Sequence, residues 1–261
     1  MGSFFSRTCY EGDVSVATIK TSPEKLAKKA LSVLKAKADP KKAAGVQKYF
    51  KDTVKAYGVS ATDIRLLSKD LHKSISAEWG LDDAVALCDL LFPKPELEAK
   101  AVGALILSRF KKEFNKDLFF KVKDWLSRNY LNNWASVDVF CPEVLGSLIV
   151  KYPELIQEIK GWTRDPNRWV KRASIVAFLK LTKQEKYHPH IYEIAQGVFG
   201  VDDDLVQKAS GWLLREAGKT DMGRLEKFLL KHGAAIPRTT LRYAIERFDE
   251  KKRKEILLRT R

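Results

Sequence analysis

The chain has 261 residues, with 48 lysines and arginines against 33 aspartates and glutamates, giving a net charge of +15. That length accommodates a sizeable core, and an apolar share of 45% excludes a disordered chain. The basic excess points to a polyanionic partner, nucleic acid first and an acidic membrane surface second, although a merely soluble basic protein accounts for the charge as well.

Cys9, Cys88 and Cys141 are odd in number and widely spaced. They fit neither a disulfide framework nor a zinc knuckle, and they suit a reducing compartment, so a cytoplasmic or nucleoid-associated location is expected. No apolar run is long enough to span a bilayer, and residues 1–19 lack the layout of a signal peptide; no membrane partner is expected. Met1-Gly2-Ser3-Phe4-Phe5-Ser6 matches the loose myristoylation pattern, which recurs readily by chance.

Residues 1–20 read as a short arm and residues 21–261 as a single helical domain. Ser22-Pro23-Glu24 is a helix start, with a capping hydroxyl followed by proline at a position whose N–H has no intrahelical partner. Leu26, Ala30, Leu31 and Leu34 continue at helical spacing. Asp39-Pro40 and Asp165-Pro166 repeat the start signal, and Asp202-Asp203-Asp204 sets acids at another N-terminus, where the helix dipole favours them. No stretch alternates convincingly enough to make a strand, and the short connections favour antiparallel neighbours.

An internal repeat organises these helices. Lys100-Ala101-Val102-Gly103 aligns with Arg172-Ala173-Ser174-Ile175 and with Lys208-Ala209-Ser210-Gly211, and Arg242-Tyr243-Ala244-Ile245 is a weaker copy. The steps from Arg172 to Lys208 and from Lys208 to Arg242 are 36 and 34 residues. The longer gap after Lys100 holds one further unit, Trp134-Ala135-Ser136-Val137-Asp138-Val139-Phe140, with Asp138 in register. A period in the thirties with two helices per unit is the signature of an α-solenoid, because a lone helical hairpin cannot bury its apolar face. The expected fold is therefore all-α: an α-solenoid of antiparallel helical hairpins with a concave basic groove, polar outside and monomeric. Equivalent positions form a row along the groove: Lys100, Asp138, Arg172, Lys208, Arg242. A row of cations suits a phosphate backbone.

Asp138 is the exception in that row, since an anion repels phosphate. Two readings are open: a structural ion pair with Arg172 on the next unit, or a carboxylate that stabilises developing positive charge. Trp134 lies one helical turn before Asp138, Trp169 three residues before Arg172, and Trp212 four after Lys208. Indoles beside a carboxylate make a place for a cation; core packing is the alternative, and it is preferred for Trp79, Trp125 and Trp162. Pro142, four residues after Asp138, implies either a kink or a helix boundary. His188-Pro189-His190 is read as a solvated loop pair, short of the three or four ligands of a metal site. Lys251-Lys252-Arg253-Lys254 is either a phosphate grip or a solvated cluster at a helix end. No phosphate-binding glycine loop, zincin motif or nucleophile elbow is present, and no cofactor is expected.

Three segments carry a family resemblance: Asn133-Trp134-Ala135-Ser136-Val137-Asp138, then Asn167-Arg168-Trp169-Val170-Lys171-Arg172-Ala173, then residues 207–216 from Gln207-Lys208-Ala209 through Trp212 to Glu216. In order and spacing the chain resembles the DNA alkylation repair family, the HEAT-like-repeat alkylpurine DNA glycosylases, from about Ala43 to the C-terminus. Tyr49 to Leu67 is similar to that family's N-terminal helical hairpin, less specifically. The Cys141-Pro142 pair is a departure. The resemblance implies a duplex DNA substrate bearing purines alkylated at N3 or N7, with Asp138 as the catalytic carboxylate, Trp134 and Trp212 flanking the lesion sugar, and Arg172 supporting the site. Lys100, Lys171, Lys208, Arg242 and Arg168 are expected to hold phosphates, positioning the duplex without reading sequence. An alkylated purine leaves as a neutral base, so the task is to stabilise an oxocarbenium-like sugar. A groove without a deep pocket implies recognition through the lesion's charge and the duplex's deformability rather than extrusion of the base. A non-catalytic DNA-binding solenoid and a protein scaffold are the rival readings.

Overall fold

The computed structural model describes residues 20–261; all of the expected arm but Lys20, with Cys9 and the myristoylation-like pattern, lies outside them. Among the described residues fourteen α-helices follow one another, with no strand and only an isolated backbone bridge between Lys55 and Glu96. The first helices are α1 (Pro23–Ala36), α2 (Pro40–Gln47) and α3 (Ala61–Lys73). Five hairpins come next: α4 (Leu81–Leu91) with α5 (Leu97–Leu107), α6 (Lys116–Ser127) with α7 (Trp134–Lys151), α8 (Leu155–Gly161) with α9 (Arg168–Val176), α10 (His188–Gly197) with α11 (Asp204–Gly218), and α12 (Met222–His232) with α13 (Arg238–Ala244). Helix α14 (Glu250–Arg259) closes the chain.

Local chemistry sets most of the starts. Ser22, Asp39, Ser60, Asn133 and Asp203 each cap a helix by accepting backbone N–H groups with the side chain, and Pro23 and Pro40 occupy first-turn positions. Asp165-Pro166 does not open a helix as expected. Asp165 instead accepts the N–H of Asn167, and Asn167 caps α9 two residues later. Helix α7 runs unbroken through the buried Pro142, so the proline marks no boundary. Lacking an N–H, Pro142 leaves the carbonyl of Asp138 without its usual intrahelical donor.

The second helices of the hairpins pack in sequence, α5 on α7, α7 on α9, α9 on α11 and α11 on α13. This is the row expected of a solenoid-like stack, and it places Lys100, Asp138, Arg172, Lys208 and Arg242 on five consecutive neighbours. Gly211 lets α11 and α13 approach closely: a Cβ there would collide with Tyr243 and with the carbonyl oxygen of Thr240. The apolar interior is continuous from α1 to α11, with Trp79, Trp125 and Trp162 in it, and a smaller cluster joins α10 and α11 to α12–α14. A helix such as α10 serves both, through Ile191 and Ile194 on one side and Tyr192 and Ala195 on the other, as stacked units require.

Outside the groove, one expectation is corrected and one open reading is narrowed. His188-Pro189-His190 is the first turn of α10 rather than a loop, and His188 is buried with its ring nitrogen bonded to the Thr182 carbonyl at 2.8 Å. In the C-terminal basic run, Lys252 pairs with Glu226 and Glu255, and Lys254 with Glu250. Those partners fit the solvated-cluster alternative.

Candidate active site

A cleft of about 760 Å³ opens along the row of inner helices. Its floor and walls bring together Trp134 and Asp138 from α7, Arg168, Trp169 and Arg172 from α9, and Lys208 and Trp212 from α11. Trp134 heads α7 because Asn133 caps the helix through the Ser136 N–H (2.8 Å), which places Asp138 one turn further along the same face.

Asp138 and Arg172 form a bidentate pair. Arg172 Nε donates to Oδ1 at 2.8 Å and Nη2 donates to Oδ2 at 2.7 Å, while Nη1 donates to the carbonyl of Leu205. The guanidinium therefore ties three neighbouring inner helices together. The two side chains retain only 14% and 6% of their exposure. Burial pushes the Asp138 carboxyl above the usual aspartate range, against the opposing pull of Arg172. Each carboxylate oxygen keeps a further acceptor position, and Asp138 contributes to the cleft surface. Trp134 and Trp212 are half-buried there, and Trp169 is more deeply packed. Beneath the pair, Cys141 is fully buried, its thiol pushed up by desolvation and by the Asp138 charge.

Two of the other groove cations, Arg168 and Lys208, are also engaged. Arg168 pairs with Asp203 at 2.5 Å and more loosely with Asp52 at 3.8 Å. Lys208 pairs with Asp204 at 2.8 Å, four residues earlier on α11, and Asp204 receives Lys51 at 3.2 Å. Lys171 sits with Arg168 in a shallower hollow that also contains Asp202 and Asp203. Arg242 is exposed on α13, where its neighbour Tyr243 takes the position on the cleft wall.

Lys100 is a correction. It was expected to hold phosphate, yet it is 3% exposed. Its ammonium donates to the carbonyls of Phe92 (2.5 Å) and Tyr130 (2.6 Å), and burial depresses its pKa to about 8. It lines a separate apolar pocket of about 220 Å³ between α5, α7 and the α2–α3 region. Its role is to stitch the end of α4 to the turn that leads into α7. Lys100→Met should therefore lower the thermal midpoint by several degrees, with about 1–3 kcal/mol lost as buried carbonyls go unsatisfied. Thermal unfolding and a duplex titration check this: an unchanged midpoint with weakened duplex binding would restore the phosphate role.

Sequence reasoning missed the α2–α3 connection. Residues 49–55 line the cleft, and Phe50 stacks on Trp134 with ring centroids 5.0 Å apart at 22°. The adjacent Tyr49-Phe50-Lys51-Asp52, two aromatics beside two charges in a turn, was the available signal. The connection is pinned from the other side by Glu98, a buried carboxylate that accepts the N–H groups of Tyr57, Gly58 and Val59 at 2.9, 2.8 and 3.2 Å. Gly58 is required there, because its φ is +79° and a Cβ would strike the carbonyl of Asp39.

Among the described residues no group of three or more His, Cys, Asp or Glu side chains could hold a metal ion, and no described helix is long and apolar enough to cross a membrane. No curated protein matches the chain significantly. A solved structure of a predicted DNA alkylation repair enzyme from Enterococcus faecalis is similar in fold, with a TM-score of 0.72 at 20% identity, over 82% of this chain and 98% of that one. The model of the DNA alkylation repair enzyme family matches residues 30–248, which span the row of inner helices, the cleft and the connection that closes it. The chain belongs to the DNA alkylation repair enzyme family.

Proposed function

We propose that this chain is a DNA glycosylase that hydrolyses the N-glycosidic bond of purines alkylated at N3 or N7 in duplex DNA. The observation that carries the reading is the placement of the Asp138–Arg172 pair in a cleft walled by Trp134, Trp169 and Trp212. An ion pair needed only for stability has no use for indoles left facing an open groove. A carboxylate meant to meet a cation does, since ring faces attract positive charge by about 0.5–2 kcal/mol each and the acid neutralises it.

The cationic purine departs as a neutral base, so the leaving group needs no strong acid. The oxocarbenium-like sugar that develops is stabilised by the ionised Asp138, which also orients a water for attack at C1′. Arg172 holds the carboxylate in one orientation and keeps it charged despite burial. It also attenuates the negative charge, a cost accepted for positioning. Lys171 and Arg242 form no ion pair among the described residues and are placed to take phosphates; Arg168 and Lys208 must exchange Asp203 and Asp204 for them. The bidentate pair also favours a second reading, in which the chain binds duplex DNA and Asp138 serves only to lock α7 to α9.

Incubating the protein with methylated duplex and counting abasic sites by alkaline strand cleavage tests the proposal. Lesion-dependent abasic sites are expected, and duplex binding without them selects the second reading. The pH profile adds a mechanistic check. Activity requires the ionised carboxylate, so the rate should fall on acidification with an apparent pKa above the ordinary aspartate value. The stability sign is opposite: a raised carboxyl pKa means the folded state takes up the proton first, so acidification through that window relieves the burial cost of the charge. A rate unchanged down to the usual aspartate range would contradict the assignment.

A further inference from the structure

Trp134 is partly buried and packs against the larger apolar core without being one of its buried members. A further contact holds its indole from the cleft side. Residues 49–55 line the cleft as a strap, knitted from within by Gln47, the last residue of α2. Gln47 Nε2 donates to the carbonyls of Phe50 (3.2 Å) and Asp52 (2.9 Å), and its Oε1 accepts the N–H of Val54 (3.0 Å). Lys55 and Glu98 anchor the strap to α5, through the Leu97 N–H to Lys55 carbonyl bond at 3.0 Å and the three N–H groups gathered by Glu98. Lys51 and Asp52 tie its other side to Asp204 and Arg168 across the groove.

The held loop brings Tyr49 and Phe50 to the cleft, and of the two only Phe50 stacks on Trp134. Phe50 stacks on Trp134, yet it is not among the side chains that make up or pack against either core. Its contact with the indole is therefore no by-product of core packing. With one face covered by Phe50, the indole has only its other face to offer a substrate.

We propose that Phe50, presented by the Gln47-knitted strap, is a positioning residue for Trp134 in the reaction. The inference rests on the glycosylase reading above. Phe50 acts through the indole: it restricts Trp134 to the rotamer that flanks the lesion sugar, a preorganisation that matters at the transition state more than in duplex binding.

A double-mutant cycle on Phe50 and Trp134 tests this with the full chain, a duplex carrying 7-methylguanine, and single-turnover rates. Phe50→Leu should lower the rate about three- to tenfold, the range an aromatic pair is worth, with unchanged duplex Kd. Gln47→Ala should do the same, and Phe50→Tyr should restore the rate. In a Trp134→Ala background, Phe50→Leu should cost nothing further. Additive losses, or a Phe50→Leu rate equal to that of the parent, would overturn the proposal. Acrylamide quenching of the fluorescence that Trp134 contributes, read against Trp134→Phe in the free protein, provides a readout independent of turnover. Quenching should increase in Phe50→Leu and not in Phe50→Tyr. If the parent releases no base, the glycosylase reading fails by itself, and unchanged quenching would then overturn the Phe50 assignment separately.

Discussion

Arg172→Ala should be among the most damaging single substitutions in the groove, costing about 3–5 kcal/mol of stability. The guanidinium satisfies both oxygens of Asp138 and the carbonyl of Leu205 from a side chain only 6% exposed. Its removal strands a carboxylate in a site where burial already works against the charge, and it severs the tie between α7, α9 and α11. Against a typical total of roughly 5–15 kcal/mol, that loss is expected to show as a large drop in the denaturation midpoint. Asp138 should also titrate higher still, moving any acid limb of the rate towards neutral pH. Stability and chemistry separate in the double variant Asp138→Leu with Arg172→Leu. Replacing a buried ion pair by apolar side chains of similar bulk is often near neutral, so most of the stability should return while base release does not. If Arg172→Ala unfolds at the parental midpoint, the pair does not hold the inner helices.

Asp138→Asn should reduce base release by about 10²–10³-fold, the usual consequence of losing one preorganised electrostatic group at a developing charge. Asparagine fills the same volume and its carbonyl oxygen still accepts one of the two Arg172 bonds; its NH2 faces the other donor, so the midpoint should drop while the fold and the phosphate contacts survive. The missing element is the negative charge itself. Duplex affinity should hold or rise slightly, because an anion has left a groove that binds phosphates. Circular dichroism and a duplex titration at fixed salt accompany the rate measurement, since affinities for DNA have meaning only at a stated salt concentration. A variant that binds as the parent does and releases base at the parental rate removes Asp138 from the chemistry.

The parts of this molecule that were legible in its sequence are those governed by local chemistry or by the repeat. Ser22 and Asp39 were readable as caps because capping involves residues two or three apart. The row from Lys100 to Arg242 was readable because equivalent positions of stacked units fall on neighbouring helices. Register, however, fixes a place along the row and not depth. Lys100 occupies the same repeat position as Lys208, but α2, α3 and the turn before α7 close over it, and two backbone carbonyls replace the expected phosphate. Partner choice was similarly hidden. Lys208–Asp204 lies at helical spacing and was inferable, whereas Arg168–Asp203 joins residues 35 apart. The aromatics at Tyr49 and Phe50 hint at the connection, but the Phe50–Trp134 pairing itself has no local signature, since it depends on an irregular course set by the buried Glu98 and by Gly58. Asp165-Pro166 shows the limit of capping signals: Asn167, two residues on, competes for the role and caps α9.

The central claim is that this cleft breaks a glycosidic bond by means of Asp138. Chromatographic quantification of 7-methylguanine and 3-methyladenine released from methylated duplex DNA, by the parent and by Asp138→Asn side by side, tests it most directly. Free alkylpurines from the parent, with release by the variant at or near the uncatalysed level and duplex binding intact, is the result the account predicts. Equal release by both proteins, or duplex binding with no release by either, would contradict it.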